Sequence, residues 1–233
     1  MPGRLSIYTD TAFKADVVEA LGNFKNEVQK LVPNYNVAPT HTVNIFTNTR
    51  RYTKAHFGLI PSWAKGRNQM QINARRESVF EKVTFKEAYK GRRCLMMVNG
   101  YYEWLKSAKG EKSVPYFISA KNSKYFAFAG LYEEWYDNVE GKTVLSCALL
   151  TTQPNEFIAP IHDRMPVILA KQDWKTWLDP KSDFATLNTL YMAYPSQEMQ
   201  MHTVGSEVNS VKNNNPECIK EVRTPVARQG SLF

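Results

Sequence analysis

The sequence predicts an α+β fold, with a mixed sheet at its core and helices set to its sides. Most of its apolar runs are short, rich in β-branched and aromatic residues, and separated by turns or irregular loops. The helical segments stand apart from these runs instead of following each strand, as they would in a βαβ array. With 233 residues and 43% hydrophobic content, the chain has ample length for a buried core.

The N-terminal helix is predicted to begin at Asp10 or Thr11 and to end at Gly22, because apolar residues between them recur at helical spacing. The other predicted elements are strands at 43–47 and 52–59, a helix at 80–89, strands at 94–98, 116–119, 125–131 and 143–151, helices at 171–178 and 184–191, and a strand at 201–204. The uninterrupted apolar run 94–98 predicts a strand buried on both faces.

Cysteine usage and hydropathy exclude several classes of protein. Cys94, Cys147 and Cys218 are odd in number, widely spaced and distant in sequence from the four histidines. We therefore expect neither a disulfide framework nor a metal site, and no cofactor. No apolar run approaches the ~20 residues that cross a bilayer, and the first residues lack a secretory pattern. The expected location is the cytoplasm, with no membrane contact.

The formal net charge of +8 favours an acidic partner only modestly, but its distribution adds to the case. Arginine doublets at 50–51, 75–76 and 92–93 lie beside aromatic-rich segments. Guanidinium groups that pair with phosphates and rings that stack on bases are typical of single-strand binding. The alternative remains open: the aromatic rings can belong to the core, and the arginines can form a solvated rim around it. We expect most individual rings to lie in the core.

Three polar residues, Asn73, Glu103 and His162, lie within otherwise apolar sequence. Strand periodicity places Glu103 on one face with Tyr101, and a carboxyl among rings should have a raised pKa that suits acid–base chemistry. A structural ion pair with arginine is the commoner use of such a glutamate. His162 follows Pro160, and a catalytic or a structural role fits it equally well.

Several short motifs together resemble one family, the SOS-response-associated peptidase (SRAP) family, whose members crosslink to abasic sites in DNA. The motifs are Met1-Pro2-Gly3-Arg4, Tyr35–Pro39, Gly58–Ala64, Ile72-Asn73-Ala74-Arg75, Asn99–Trp104 and Ile161–Pro166. The resemblance implies a compact, partly closed, barrel-like mixed sheet with flanking helices. It also implies one domain over residues 1–220, followed by a flexible tail at 221–233.

The resemblance also implies roles for individual residues. In the family, the residue after Met1 attacks the abasic sugar of single-stranded DNA. Pro2, Asn73, Glu103 and His162 match the catalytic positions, with the glutamate thought to move protons during opening of the sugar ring. The positions that match DNA-binding or site-ordering residues are Gly3, Arg4, Asn36, Pro39, Trp63, Arg75, Arg164 and Pro166.

Three residues depart from the family pattern. Phe57 replaces a tryptophan, Asn99 replaces an aspartate, and Pro2 replaces the catalytic cysteine. Without a thiol, no thiazolidine ring can form and no cysteine peptidase mechanism can operate through this residue. If Met1 is removed, however, Pro2 offers a secondary amine that condenses with an aldehyde to an iminium ion, which allows reversible capture or a lyase reaction. The alternatives are a non-catalytic single-strand-binding module and a family-type peptidase that removes its own Met1.

The segment 229–233 resembles the pentapeptide with which bacterial proteins bind the replication sliding clamp. Gln229 would supply a hydrogen bond, and Leu232 and Phe233 would supply two apolar anchors. A frayed terminus is the alternative. Together these features predict a monomer associated with the bacterial nucleoid.

Overall fold

The computed structural model describes residues 3–105 and 113–222. Its strands are β1 (Leu5–Ile7), β2 (Lys25–Asn26), β3 (Asn34–Val37), β4 (Thr42–Thr47), β5 (Arg51–Phe57), β6 (Asn73–Arg75), β7 (Arg93–Val98), β8 (Gly100–Leu105), β9 (Val114–Ala120), β10 (Phe126–Asp137), β11 (Lys142–Thr152), β12 (Met165–Pro166) and β13 (Met199–Thr203). Its helices are α1 (Thr11–Leu21), α2 (Lys86–Gly91), α3 (Trp174–Leu178) and α4 (Phe184–Thr189).

Five strands close into a barrel. They pair in the order β11, β10, β7, β4 and β5, and a parallel pairing of β5 with β11 completes the ring at His56↔Ser146 and Phe57↔Cys147. Every residue of the central strand β7 is buried, as its apolar run predicts. The predicted α+β fold with a barrel-like mixed sheet is therefore confirmed, and short strands extend the barrel at β2, β6 and β12.

A second sheet packs beside the barrel in the order β13, β9, β8, β1, β3. Strand β1 lies between β3 and β8 and is antiparallel to both. The start of the described chain is therefore held between two strands of this sheet, next to its edge strand β3. Because β8 follows β7 directly, this sheet is also joined to the barrel at the point where Asn99 separates the two strands.

The helices cover the outside of the barrel. Helix α1 begins after Asp10 and ends at Gly22, whose φ of 80° is accessible to glycine at little cost, and it buries Phe13 and Val17. Helix α3 buries both of its tryptophans. None of the helices in the described part of the chain is long and apolar enough to cross a membrane.

The helix predicted over 80–89 is wrong in its first half. Only Lys86–Gly91 is α-helical, and the residues before it form successive turns. Val83 and Thr84 are β-branched, which lowers helix propensity, and the Val83 side chain is 73% exposed and so gains little from packing.

Candidate active site

Glu103 lies in β8 opposite Tyr116 of β9, and only 4% of its surface is exposed. Alternation along the strand puts its neighbour Tyr101 into the main core, whereas Tyr102 packs in a separate cluster on the other side. Burial raises the pKa of the Glu103 carboxyl to about 7. The sequence-based expectation of a raised pKa is therefore confirmed, and the group can both hold and release a proton near neutral pH.

The described start of the chain runs alongside this carboxylate. The backbone N–H of Tyr102 donates to the Arg4 carbonyl at 2.9 Å, and Leu5 pairs with Tyr101. The same antiparallel register, carried on by two residues, sets Gly3 beside Glu103. Pro2 lies outside the described residues, so its catalytic role remains a prediction.

Asn73 begins β6, which pairs in parallel with β11 at Leu149. The backbone N–H of Leu149 also donates to the Ile72 carbonyl at 3.0 Å, so the segment is fixed to the barrel on entry. The Asn73 side chain is half-buried, and Arg75, two residues on, is exposed. An exposed arginine at the end of an anchored strand is free to meet a phosphate.

His162 lies in the turn after Ile158, whose carbonyl accepts from the His162 backbone N–H at 3.0 Å. Its Nδ1 accepts from the Arg164 backbone N–H at 3.0 Å and lies 2.8 Å from the Asp163 carboxylate. Besides burial, the negative charge of Asp163 also raises the pKa of Glu103. The loop that carries His162 is therefore close enough to Glu103 to influence its proton.

Arg164 is buried and holds this loop to the Asn73 segment. Its two terminal nitrogens each lie 2.8 Å from an oxygen of Glu77, and one also donates to the Thr151 carbonyl at 2.6 Å. Partial burial is the largest single influence on the Glu77 carboxyl, and it raises the pKa. The hydrogen bonds and positive charge of Arg164, together with smaller contributions, outweigh burial, so the pKa of Glu77 is lowered. The sequence allowed two roles for Arg164, binding of a DNA phosphate and ordering of the site. These contacts favour ordering of the site.

Arg4 extends to the opposite face of its sheet, under a segment that we call the C-terminal clasp, residues 204–222. Its Nη1 donates to Asn36 Oδ1 at 2.8 Å and to the Val208 carbonyl at 2.5 Å, and its guanidinium lies 5.6 Å from the Trp104 ring centre. No carboxylate pairs with Arg4 within the described ranges. Burial lowers the pKa of Arg4, although the group stays a cation at neutral pH.

Asn36 is fully buried and joins the clasp to β3. Its amide nitrogen donates to the carbonyls of Val208, Ser210 and Asn213 at 3.2, 2.9 and 2.9 Å. Because its oxygen also accepts from Arg4, these contacts fit a residue that positions the start of the chain. A direct contact between Asn36 and DNA remains a prediction from the resemblance.

The other predicted site residues are spread around this centre. Pro39 is half-buried in the turn between β3 and β4, Trp63 is 51% exposed, and Pro166 is buried opposite Thr151. Gly3 is half-buried. The predicted clamp-binding residues Gln229, Leu232 and Phe233 lie outside the described residues.

The structure accounts for the asparagine at position 99. Its Oδ1 accepts from the backbone N–H groups of Tyr8 and Thr9 at 2.7 and 3.1 Å, and its Nδ2 donates to the Lys124 carbonyl at 2.8 Å. An aspartate would present an oxygen to that carbonyl and lose the last bond. The contacts of Asn99 thus anchor the far end of β1 and lie four residues along the chain from Glu103.

Two residues near the site, Glu77 and Asp163, were given no role from the sequence. Glu77 lies two residues after the motif that ends at Arg75, and Asp163 lies within the motif Ile161–Pro166, but nothing in the local pattern indicates which arginine or carboxylate each one faces. Within residues 3–105 and 113–222, no three His, Cys, Asp or Glu side chains form a group that could hold a metal ion.

Comparison with known proteins agrees with this geometry. The sequence matches the family described as SOS response associated peptidase (SRAP) over residues 1–211. The chain belongs to this family. The resemblance stated from the motifs is thereby confirmed.

Named relatives and solved structures extend the comparison. The abasic site processing protein YoqW of Bacillus subtilis is 42% identical over 194 residues, which cover 81% of this chain and 86% of that protein. The abasic site processing protein YoaM of the same organism is 39% identical over 229 residues, which cover 94% of this chain and 97% of that protein. A crystal structure from Bacteroides thetaiotaomicron superposes with a TM-score of 0.82 at 25% identity, covering 94% of this chain and 99% of that one.

Proposed function

We propose that this protein processes abasic sites in DNA, and that it captures the open-chain sugar aldehyde in single-stranded DNA through its N-terminal residue. The observation that carries the proposal is the buried Glu103 carboxyl with a pKa of about 7, beside the backbone of Gly3 and Arg4. The names of the relatives YoqW and YoaM support the substrate. Arg75, exposed at the end of β6, supplies a cationic group for a flanking phosphate.

The proposed reaction begins with removal of Met1, which gives Pro2 a secondary amine. The nitrogen lone pair attacks the aldehyde carbon C1′ as the C=O π bond opens, and the proton of the amine passes to the former carbonyl oxygen, which gives a neutral carbinolamine. Protonated Glu103 then gives its proton to the hydroxyl, which leaves as water, and the nitrogen lone pair closes the C=N⁺ bond of an iminium ion. Water can add back to C1′ and reverse the capture, or loss of the proton at C2′ can expel the 3′ phosphate.

His162 and Asn73 are proposed to hold the sugar during these steps. His162 Nδ1 lies 2.8 Å from the Asp163 carboxylate. Asn73 begins a strand that pairs with β11, and the loop of His162 leads into β12, which also pairs with β11. Binding and orientation by residues on anchored strands lowers the barrier because the reactants meet already positioned. The protein is proposed to act as a monomer.

Borohydride trapping tests the proposal. Wild-type protein whose intact mass shows loss of Met1 should form a reduced adduct with an abasic single-stranded oligonucleotide and none with the same undamaged oligonucleotide. A matched protein with one extra residue before Pro2 has an amide at that nitrogen and should give no adduct. Glu103→Gln should slow adduct formation at least about tenfold, since general acid–base groups contribute ~10²–10⁴ to rates.

The same assay separates the alternatives. Salt-sensitive binding to single strands without any adduct would favour the non-catalytic binding module. Retention of Met1 together with no affinity for DNA would refute the proposal. Release of Met1 that depends on Glu103 would favour the peptidase reading of the family name.

We also propose that residues 229–233 bind the replication sliding clamp. The support is the pattern Gln229-Gly230-Ser231-Leu232-Phe233, in which two apolar residues follow a hydrogen-bonding side chain. Leu232→Ala/Phe233→Ala should abolish binding of the full chain to purified clamp in a sedimentation or surface-binding assay. Equal affinity of the wild type and this double variant would refute the idea, and trapping of abasic DNA should be the same in both.

A further inference from the structure

A groove of about 500 Å³ runs beside β3, away from Glu103. It begins at the turn that contains Thr40 and His41 and extends to Asn34, where β3 pairs with Ile7 at the far end of β1. Val37 also lines the groove and pairs with Leu5 of β1, two residues along the chain from Gly3. The groove therefore starts next to the candidate site and continues along the sheet.

The groove has the charge pattern of an anion site. Lys30 and Lys54 line it, both are exposed, and neither makes an ion pair with a residue of the described ranges. None of its described lining residues is Asp or Glu. Two uncompensated ammonium groups in one groove attract a polyanion.

Neutral donors and apolar surface complete the lining. The hydroxyls of Thr40 and Thr42 and the amide of Asn214 can donate to phosphate oxygens. Val32 and Pro33 form an apolar edge, and the Val32 side chain is 73% exposed. A cationic groove with an apolar edge fits the backbone of a single strand better than a small anion, because bases that leave the backbone can rest on apolar surface.

We propose that this groove binds the phosphates of single-stranded DNA on one side of the lesion, with Lys30 and Lys54 as the contacting cations. This inference rests on the proposed function. It implies that the protein binds a longer stretch of the strand than the nucleotides that contact the candidate site. The groove follows β3, which is four residues long, about 13 Å at ~3.3 Å per residue, so its far end, which Lys30 precedes in the chain, lies out of reach of a very short oligonucleotide.

The test compares two double variants of equal charge. Lys30→Gln/Lys54→Gln removes the groove cations, and Lys121→Gln/Lys181→Gln removes two exposed lysines that do not line it. Each is measured against a 15-nucleotide and a 3-nucleotide single strand with a central abasic site, with binding followed from low to moderate salt. Thermal unfolding confirms that both variants remain folded.

The groove variant should bind the 15-nucleotide strand about tenfold more weakly, and its salt slope should fall by about 1.4, the value for two phosphates of a single strand. Its affinity for the 3-nucleotide strand, and the affinities of the other variant, should change less than about twofold. Equal losses in both variants, an equal loss on the short strand, or no loss at all would overturn the proposal. If the wild type gives no trapped adduct on either strand, the proposed chemistry fails, and binding of an undamaged 15-nucleotide strand still decides the groove.

Discussion

Replacing Glu103 with glutamine should remove much of the pH dependence of stability. Burial raises the pKa of this carboxyl from an ordinary 4.5 to about 7. The difference of about 2.5 pH units corresponds to about 3 kcal/mol, at ~1.4 kcal/mol per unit. Because the folded protein holds this proton more tightly than the unfolded chain, the stabilisation is complete below pH 4.5 and is lost as the pH rises through 7.

Urea unfolding of wild type and Glu103→Gln at several values between pH 5 and pH 8.5 provides the measurement. The unfolding free energy of the wild type should fall by up to about 3 kcal/mol more than that of the variant over this range. Glu134→Gln, at an exposed position of β10, serves as the control and should follow the wild type. Parallel curves for wild type and Glu103→Gln would show that burial does not control this proton.

Three further substitutions test the contacts that hold the strands and loops around the candidate site. Gly100→Ala places a methyl group 2.8 Å from the Ile118 carbonyl oxygen and should lower the unfolding free energy by about 2 kcal/mol in urea; a neutral result would contradict the packing of β8 on β9. Arg93→Lys loses most of the hydrogen bonds that the buried guanidinium makes to four backbone carbonyls and should cost about 3 kcal/mol in thermal unfolding, with a loss below 1 kcal/mol as the contrary outcome. Glu77→Gln leaves Arg164 without its carboxylate and should cost about 1 kcal/mol at pH 7, because the Glu77 side chain is 40% exposed and solvent screens the pair. Since the pKa of Glu77 is lowered in the fold, this difference from wild type should disappear as the pH falls below 4.5 toward and through the folded pKa, and persistence at low pH would argue against the ion pair.

The sequence was informative where one physical signal dominated. The apolar run of β7, and the helical spacing of apolar residues before Gly22 in α1, led to correct elements, because burial and the positive φ of a glycine act locally. Helix 80–89 was only half right, since two β-branched residues interrupt its start. The closure of the barrel by the parallel pairing of β5 with β11 depends on residues about 90 positions apart, and no local pattern encodes such a pairing.

In the candidate site, too, local features could be predicted from the sequence, whereas contacts between distant segments could not. Burial raises the pKa of Glu103, and strand periodicity was sufficient to indicate that this side chain shares a face with Tyr101 of the core. The added influence of Asp163 depends on a loop that approaches from elsewhere in the chain. Arg164 matched a motif, yet its pairing with Glu77 depends on how two loops meet on β11. The burial of Asn36 under the clasp likewise involves carbonyls more than 170 residues away, which backbone geometry alone brings together.

The contacts of Arg4 and Asn36 with the clasp also set the order in which the protein can mature. During synthesis the N-terminal region leaves the ribosome first, at ~5–20 residues per second, and waits for residues 208–213 before its arginine can be fixed. A nascent chain therefore carries an incomplete candidate site. The proposed capture of damaged DNA can begin only after almost the whole polypeptide has been translated.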